Sequence, residues 1–259
     1  RVIVMKKKTV SIMVAATMAL SLFAGCGSSK DTATEDTSKT ESTETTDESS
    51  ENASAETTDE SSRTTFTVGF DAEYPPYGYM DDDGEYTGFD LELAQAVCDK
   101  EGWELVKKPI NWDSKDMELN SGSIDCIWNG FTMNGREDDY TFSEPYVDNS
   151  QVIVVADDSG IEKLTDLAGK TVGVQAASAA LDLLQSEDEG GQKALADTFG
   201  SLNEFADYNT AFTELQAGAL DALAIDVGVA KYQLAQREEG KYKILDEPIQ
   251  SEQYGIGFA

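Results

Sequence analysis

Apolar and polar positions give the 259-residue chain three textures. Residues 10–24, "VSIMVAATMALSLFA", form an almost continuous apolar run, and the basic "MKKK" stands just before them. Residues 27–62 are dominated by Ser, Thr, Asp and Glu, with no aromatic residue and no apolar period. From Thr64 onward, short β-rich runs alternate with amphipathic stretches, the texture of a fold that mixes strands and helices. "TVGF" at 67–70 and "TVGV" at 171–174 read as strands that run into polar loops. "GFDLELAQAVCDKEGW" (88–103) predicts a helix with Asp90 as its N-cap, Leu93, Ala94 and Val97 on one face, and Gly102 at its stop. "ASAALDLLQSEDEGG" (177–191) predicts a second helix, capped by Ser178 and running to Gly190 and Gly191.

A second internal match follows the first in the same order. "ELNSGSIDCI" (118–127) and "ELQAGALDAL" (214–223) share the pattern E-L-x-x-G-x-[IL]-D-x-[IL]. Leu119 and Leu215 anchor the last turn of a helix, and Gly122 and Gly218 can take the left-handed conformation that ends it before a short strand begins. Each half is then a strand, helix, strand unit, so the fold class is α/β with two similar lobes. Two such lobes in series face each other across a cleft, and ligands of open α/β sheets bind beyond the carboxyl ends of the strands. The segments to watch are Asp71 to Tyr77, Asn129 to Arg136, Gln175 to Ala179, and Asp226. Arg136 beyond one repeat strand and Asp226 beyond the other offer a guanidinium and a carboxylate from opposite lobes, a pair complementary to a zwitterion such as an amino acid. Backbone N–H groups near Ser178, at a helix start, add a second carboxylate-binding element.

Charge and composition narrow the field. With 50 Asp and Glu against 19 Lys and Arg, a net charge of -31 and a pI near 4.1, the surface repels phosphate backbones, and no nucleic-acid partner is expected. The chain has no histidine, which removes the commonest catalytic base and metal ligand and excludes hydrolases with a His-activated nucleophile. No metal, cofactor or catalytic residue is expected. Cys98 and Cys126 lie in apolar surroundings without a CxxC partner, as buried thiols or as a disulfide pair.

The amino-terminal textures have the flanks of a secretory signal over residues 1–25, the first four being upstream of Met5. The run ends in "LFAGC", which resembles the lipobox of bacterial lipoproteins and makes Cys26 the expected lipid-attachment site on the extracytoplasmic face of the cell membrane. Residues 26–63 are then the lipidated Cys and a disordered, self-repelling spacer.

From about Thr65 onward the chain resembles the polar amino-acid-binding proteins of bacterial ABC importers, the family-3 solute-binding proteins. The resemblance is carried by "GFDLELAQAV", "DAEYPPYGY", "LNSGSIDCIWNGFT", "FSEPY" and "LDALAID" in matching order. It implies a two-lobed periplasmic-binding-protein fold joined by two hinge strands, "SQVIVVA" and "QYGIGFA", with the ligand in the cleft between lobes. Lobe 1 would be 64–150 with 253–259, its C-terminal part continuing beyond Ala259, and lobe 2 would be 151–252. The implied role is capture of an external amino acid by a monomer and its delivery to an ABC transporter permease. By position, Arg136 resembles the arginine that takes the substrate carboxylate, helped by Thr132 and by backbone N–H groups near Ser178 and Ala179. Asn129 and Gly130 match the pair beside the substrate, Asp226 matches the carboxylate for its ammonium, and Asp71, Tyr74, Trp112 and Gln175 match the side-chain pocket.

Structural readings stand beside these. Arg136 could pair with its neighbours in "EDD", Asp226 could cap a following helix, and Tyr74, Tyr77 and Tyr79 could be lobe packing. Trp112, in a polar loop, favours stacking on a ligand, whereas Trp128 reads as core. An amino-acid sensor, or a binding module of a signalling or cell-wall enzyme system on the same scaffold, is the alternative function.

Overall fold

The computed structural model describes residues 64–259. The expected signal segment 1–25, the expected lipid-attachment site Cys26 and the expected spacer to residue 63 lie outside the described residues.

The first βαβαβ unit is β1 (Thr65–Phe70), α1 (Phe89–Glu101), β5 (Glu104–Pro109), α2 (Lys115–Asn120) and β6 (Cys126–Ile127). Between β1 and α1 the chain makes a small antiparallel sheet of β2 (Glu73–Tyr74), β3 (Gly78–Met80) and β4 (Tyr86–Thr87). After β6 come β7 (Thr141–Phe142) and the long β8 (Val147–Ala156). The second unit is β9 (Thr171–Gln175), α3 (Ala179–Gln185), a short α4 (Lys193–Ala196), β10 (Ser201–Phe205), α5 (Tyr208–Ala217) and β11 (Ala222–Asp226), followed by α6 (Val227–Ala235). The chain closes with β12 (Tyr242–Ile244), β13 (Gln250–Tyr254) and β14 (Gly257–Phe258).

In each unit the first strand lies between the other two and parallel to both: β1 between β5 and β6, β9 between β10 and β11. The two sequence matches are parts of one device. Thr67 N–H donates to Asp125 at 2.6 Å and Asp125 N–H returns to the Thr67 carbonyl at 2.8 Å; Thr171 and Asp221 exchange the same pair of bonds at 2.8 and 2.9 Å. A Cβ on Gly69 would run into Ile124, and one on Gly173 would run into Leu220, so the glycine of each "TVG" is the space filled by the apolar residue of the later match. Gly122 and Gly218 both carry the left-handed φ, 70° and 75°, that stops their helices.

The helices follow their apolar spacing. α5 buries Tyr208, Ala211, Phe212 and Leu215, one face at i, i+3, i+4 and i+7, and Asp207 caps it by accepting from Thr210 N–H at 2.7 Å. α1 buries Leu91, Ala94 and Cys98 against the first sheet and ends at Gly102 as expected, but its N-cap is Gly88, not Asp90. Asp90 lies inside the first turn, fully buried, and its carboxylate accepts from the N–H of Gly130. α3 is shorter than the pattern suggests, ending at Gln185, because "SEDEGG" supplies no further apolar face.

The two main sheets each carry apolar clusters. Cys98 and Cys126 are buried thiols of the first, not joined to each other. The cluster around Tyr208, Phe212, Leu223 and Ile225 of the second sheet also takes in Tyr74 and Tyr77 from the small β2–β4 sheet. β8 connects the two halves: its start pairs with β13 and its centre with β11, so Gln151 faces both Gln250 and Asp226.

Candidate functional site

The strands deliver the site residues at their carboxyl ends. β9 ends on Gln175, β11 on Asp226, and the segment after β6 carries Asn129, Gly130 and Thr132 before turning through Gly135 to Arg136. Tyr74, Trp112, Gly130, Thr132, Arg136, Gln175, Ser178, Ala179 and Asp226 surround one cavity of about 10 Å³, room for about one water molecule. Nine of the eleven residues singled out in the sequence are thus gathered at one point. Asp71 stands one hydrogen bond away, its carboxylate accepting from Gln175 Nε2 at 2.7 Å. Asn129 is buried behind the cavity, its amide oxygen against Gly78.

Arg136 crosses the cleft. Its Nη2 donates to Asp182 Oδ2 of α3 at 2.7 Å, and its guanidinium carbon lies 5.0 Å from the centre of the Phe131 ring. The partner is therefore a carboxylate of the facing unit rather than the adjacent "EDD". The guanidinium side is 9% exposed and Asp182 60%, so the pair is half-screened and contributes about 1 kcal/mol or less. A single Nη2 bond leaves the remaining guanidinium N–H groups able to grip a second carboxylate.

Asp226 occupies the N-cap position of α6 but makes no capping bond with its side chain. Oδ1 accepts instead from Asn149 Nδ2 at 2.6 Å, Gln151 Nε2 at 2.9 Å and the Tyr254 hydroxyl at 2.6 Å. Ser178 does cap α3, accepting from Leu181 N–H at 3.2 Å. Trp112 is buried and packs edge-on against Phe131, with Lys115 Nζ 5.4 Å from the centre of its indole, so it has a core role as well as a face on the cavity. Trp128 is core, in line with its place in the strand pattern.

Other contacts join the same two halves: Asn209 Nδ2 to Glu73 at 2.6 Å, Lys115 Nζ to the Ala177 carbonyl at 3.2 Å, and the rings of Tyr79 and Tyr232 with centroids 6.0 Å apart. Lys115 is shifted below the ordinary lysine value by burial first and then by the charge of Arg136. Asp71 is pushed up to about 6 by burial, partly offset by its bonds from Glu73 N–H and Gln175 and reinforced by the charges of Asp207 and Glu73. Asp90 is raised to about 7, again chiefly by burial.

Residues 66–233 match the profile of the bacterial extracellular solute-binding proteins, family 3. The chain belongs to that family. The family-3 chain is 29% identical over 197 residues to the L-cystine-binding protein TcyJ of Escherichia coli strain K12, covering 75% of this chain and 70% of that protein. Among solved structures, it resembles an ABC uptake transporter substrate binding protein from Streptococcus pneumoniae with bound histidine, at 34% identity and a TM-score of 0.70 over 75% of this chain and 79% of that one. It also resembles an ancestral arginine-binding protein bound to arginine, at 36% identity and a TM-score of 0.67 over 76% and 84%. This is the two-lobed fold of amino-acid-binding proteins, which bind solutes rather than transform them, and among the described residues no helix is long and apolar enough to cross a membrane.

Two buried carboxyl groups at the edge of the site were not legible in the sequence. Asp90 has the pattern of a helix cap and instead supports the loop at Gly130. Glu252 carries no motif, and only the pairing of β13 with β8 brings it, 5% exposed, beside Asp226.

Proposed function

We propose that this family-3 protein captures an amino acid in the cavity around Arg136 and Asp226 by hinge closure of two lobes, 64–150 with 253–259 and 151–252, and delivers it to the permease of an ABC importer while held to the membrane through Cys26. The observation that carries the reading is the meeting of a guanidinium from the first half and a carboxylate from the second on one small cavity. Arg136 would take the ligand carboxylate with the N–H groups at the start of α3, and Asp226 its ammonium. A 10 Å³ space admits no amino acid, so entry requires the halves to part, and ligand contacts made by both halves at once favour the closed form.

The neighbouring cavity of about 580 Å³ supports a cationic side chain. It is lined by the carboxylates of Asp71, Glu73, Asp113 and Asp207 beside Trp112, with Glu118 already paired to Lys108 and no Lys or Arg among the described residues of its wall. Relatives whose names give cystine, histidine and arginine as ligands agree with a polar amino acid. The test is a thermal-shift screen of the full-length chain against all amino acids and cystine, with L-citrulline as the uncharged counterpart of L-arginine. A ligand at 100 times its Kd adds about 2.7 kcal/mol of stability. Absence of any shift would remove the amino-acid reading, and equal shifts with arginine and citrulline would remove the cationic preference alone.

A further inference from the structure

Asp226 shares its donors with a second buried acid. Asn149 Nδ2 bonds Asp226 Oδ1 and Glu252 Oε1, both at 2.6 Å, and Gln151 Nε2 bonds the same two oxygens at 2.9 and 2.8 Å. Thr132, which lines the ligand cavity, donates its hydroxyl to Glu252 Oε1 at 2.8 Å. Among the described residues no Lys or Arg forms an ion pair with either carboxylate. The amide oxygens of Asn149 and Gln151, residues 4% and 0% exposed, have no hydrogen-bond partner among the described residues. This floor is therefore rich in acceptors and short of both donors and positive charge. Two adjacent buried carboxylates carry a large desolvation and repulsion cost when both are charged, a cost that a cation beside them offsets.

We propose that Glu252 is a positioning residue that couples capture to proton release: it holds a proton beside Asp226, and when a ligand ammonium settles against Asp226 and Thr132 that proton leaves for solvent. The inference rests on the reading of Asp226 as the ammonium site. The balance is simple. The ammonium keeps its three protons, the Glu252 O–H bond breaks, Glu252 becomes a carboxylate, and one proton passes to water through the cavity of about 820 Å³ that Glu252 also lines.

The surroundings agree. Burial first, and the charge of Asp226 second, push Glu252 up to about 7 against the opposing bonds from Thr132, Gln151 and Asn149. Tyr254 on its own strand donates to Asp226, and it, Tyr208 from α5 and Tyr74 and Tyr77 from the small sheet are all held above the ordinary tyrosine value by burial first and the charge of Asp226 second, so they stay neutral. Across the larger cavity stand the cations Arg136 and Lys115 and the acids Asp182, Asp116, Asp139, Asp188 and Glu189. Arg136 is already paired with Asp182.

The experiment has two arms on the full-length chain. In the first, side-chain ¹³C NMR follows the glutamate carboxyl groups of the ligand-free protein with pH, Glu252→Gln assigning the resonance. In the second, calorimetry with L-arginine, L-histidine, L-glutamine and L-cystine is run in phosphate and in Tris, buffers of different ionisation enthalpy. Expected are a ligand-free Glu252 titration near neutrality, a binding heat that differs between buffers by up to one proton released, and an affinity that falls up to tenfold per pH unit below that titration. Glu252→Gln should remove the part of the buffer and pH dependence that all four ligands share, leaving what Asp71, raised to about 6, adds for a cationic side chain; if that variant does not fold, the two buffers and the pH series with uncharged L-glutamine on the native chain still test the coupling. A Glu252 titration in the ordinary carboxylate range overturns the proposal, as does a binding heat equal in both buffers with affinity flat from pH 5 to 7. If none of the four binds, the coupling falls together with the reading of the site, and an intact ligand-free titration marks that case apart.

Discussion

Gly228 offers a direct test of closure, because one methyl group there acts only when the lobes meet. It sits at the second position of α6, and a Cβ added to it would strike the Tyr77 hydroxyl from the other half and stand 3.0 Å from Cζ and 3.1 Å from Cε2 of the same ring. Tyr77 has little room to retreat, since it packs edge-on against Tyr254 at 5.3 Å and Phe89 at 6.4 Å between centroids. Overpacking of this kind costs about 1–3 kcal/mol. At 1.4 kcal/mol per tenfold, Gly228→Ala should weaken amino-acid binding about 5- to 150-fold. The same change removes a helical glycine, so with the lobes parted the ligand-free protein should melt no lower, gaining up to about 1 kcal/mol. Opposite movements of affinity and ligand-free stability are the signature, read by titration calorimetry and thermal melts. Tyr77→Phe combined with Gly228→Ala vacates the contested space and should restore most of the affinity. An affinity within twofold of the native protein in Gly228→Ala would refute the reasoning.

Further outcomes follow from the same geometry. Arg136→Ala should abolish measurable binding while costing the fold only about 1–2 kcal/mol, the sum of a half-exposed ion pair and a cation–π contact, and calorimetry beside denaturant melts separates the two. Arg136→Lys, which keeps the charge but loses the planar fork, should fall between them. Stability without ligand should carry a contribution from Glu252 that runs against the usual carboxylate trend. Its folded value of about 7 lies above the ordinary 4.5, so the contribution is fully present below about 4.5 and is lost as pH rises through 7, about 3 kcal/mol in all. The difference between native and Glu252→Gln urea midpoints across that range isolates it from Asp90 and Asp71, which shift in the same direction. Asp182→Asn should lower the affinity by no more than about fivefold, since the bridge it removes is half-screened.

Much of the site was legible because its residues follow strands, and strand ends are marked by local pattern. Arg136 and Asp226 stand just beyond the two copies of the repeat, and parallel strands of one twist deliver their ends to one side of each sheet. Asp90 departs from its pattern for a related reason. An aspartate at a helix start is a common cap, and only the fold of the Gly130 loop onto it reveals the other partner. Asp182 is unremarkable in a helix of mixed polarity until α3 is placed opposite Arg136.

By itself the sequence determined the α/β class, the duplicated unit and the strand-end positions, since these depend on periodicity, helix stops and glycine geometry within a few tens of residues. Tertiary structure alone decided which carboxylate meets Arg136, how Asn149, Gln151 and Glu252 surround Asp226, and how little space remains between the halves. Those contacts join residues 46 to 103 positions apart, and local pattern carries no information about register between β8, β11 and β13 or about how far two lobes have closed.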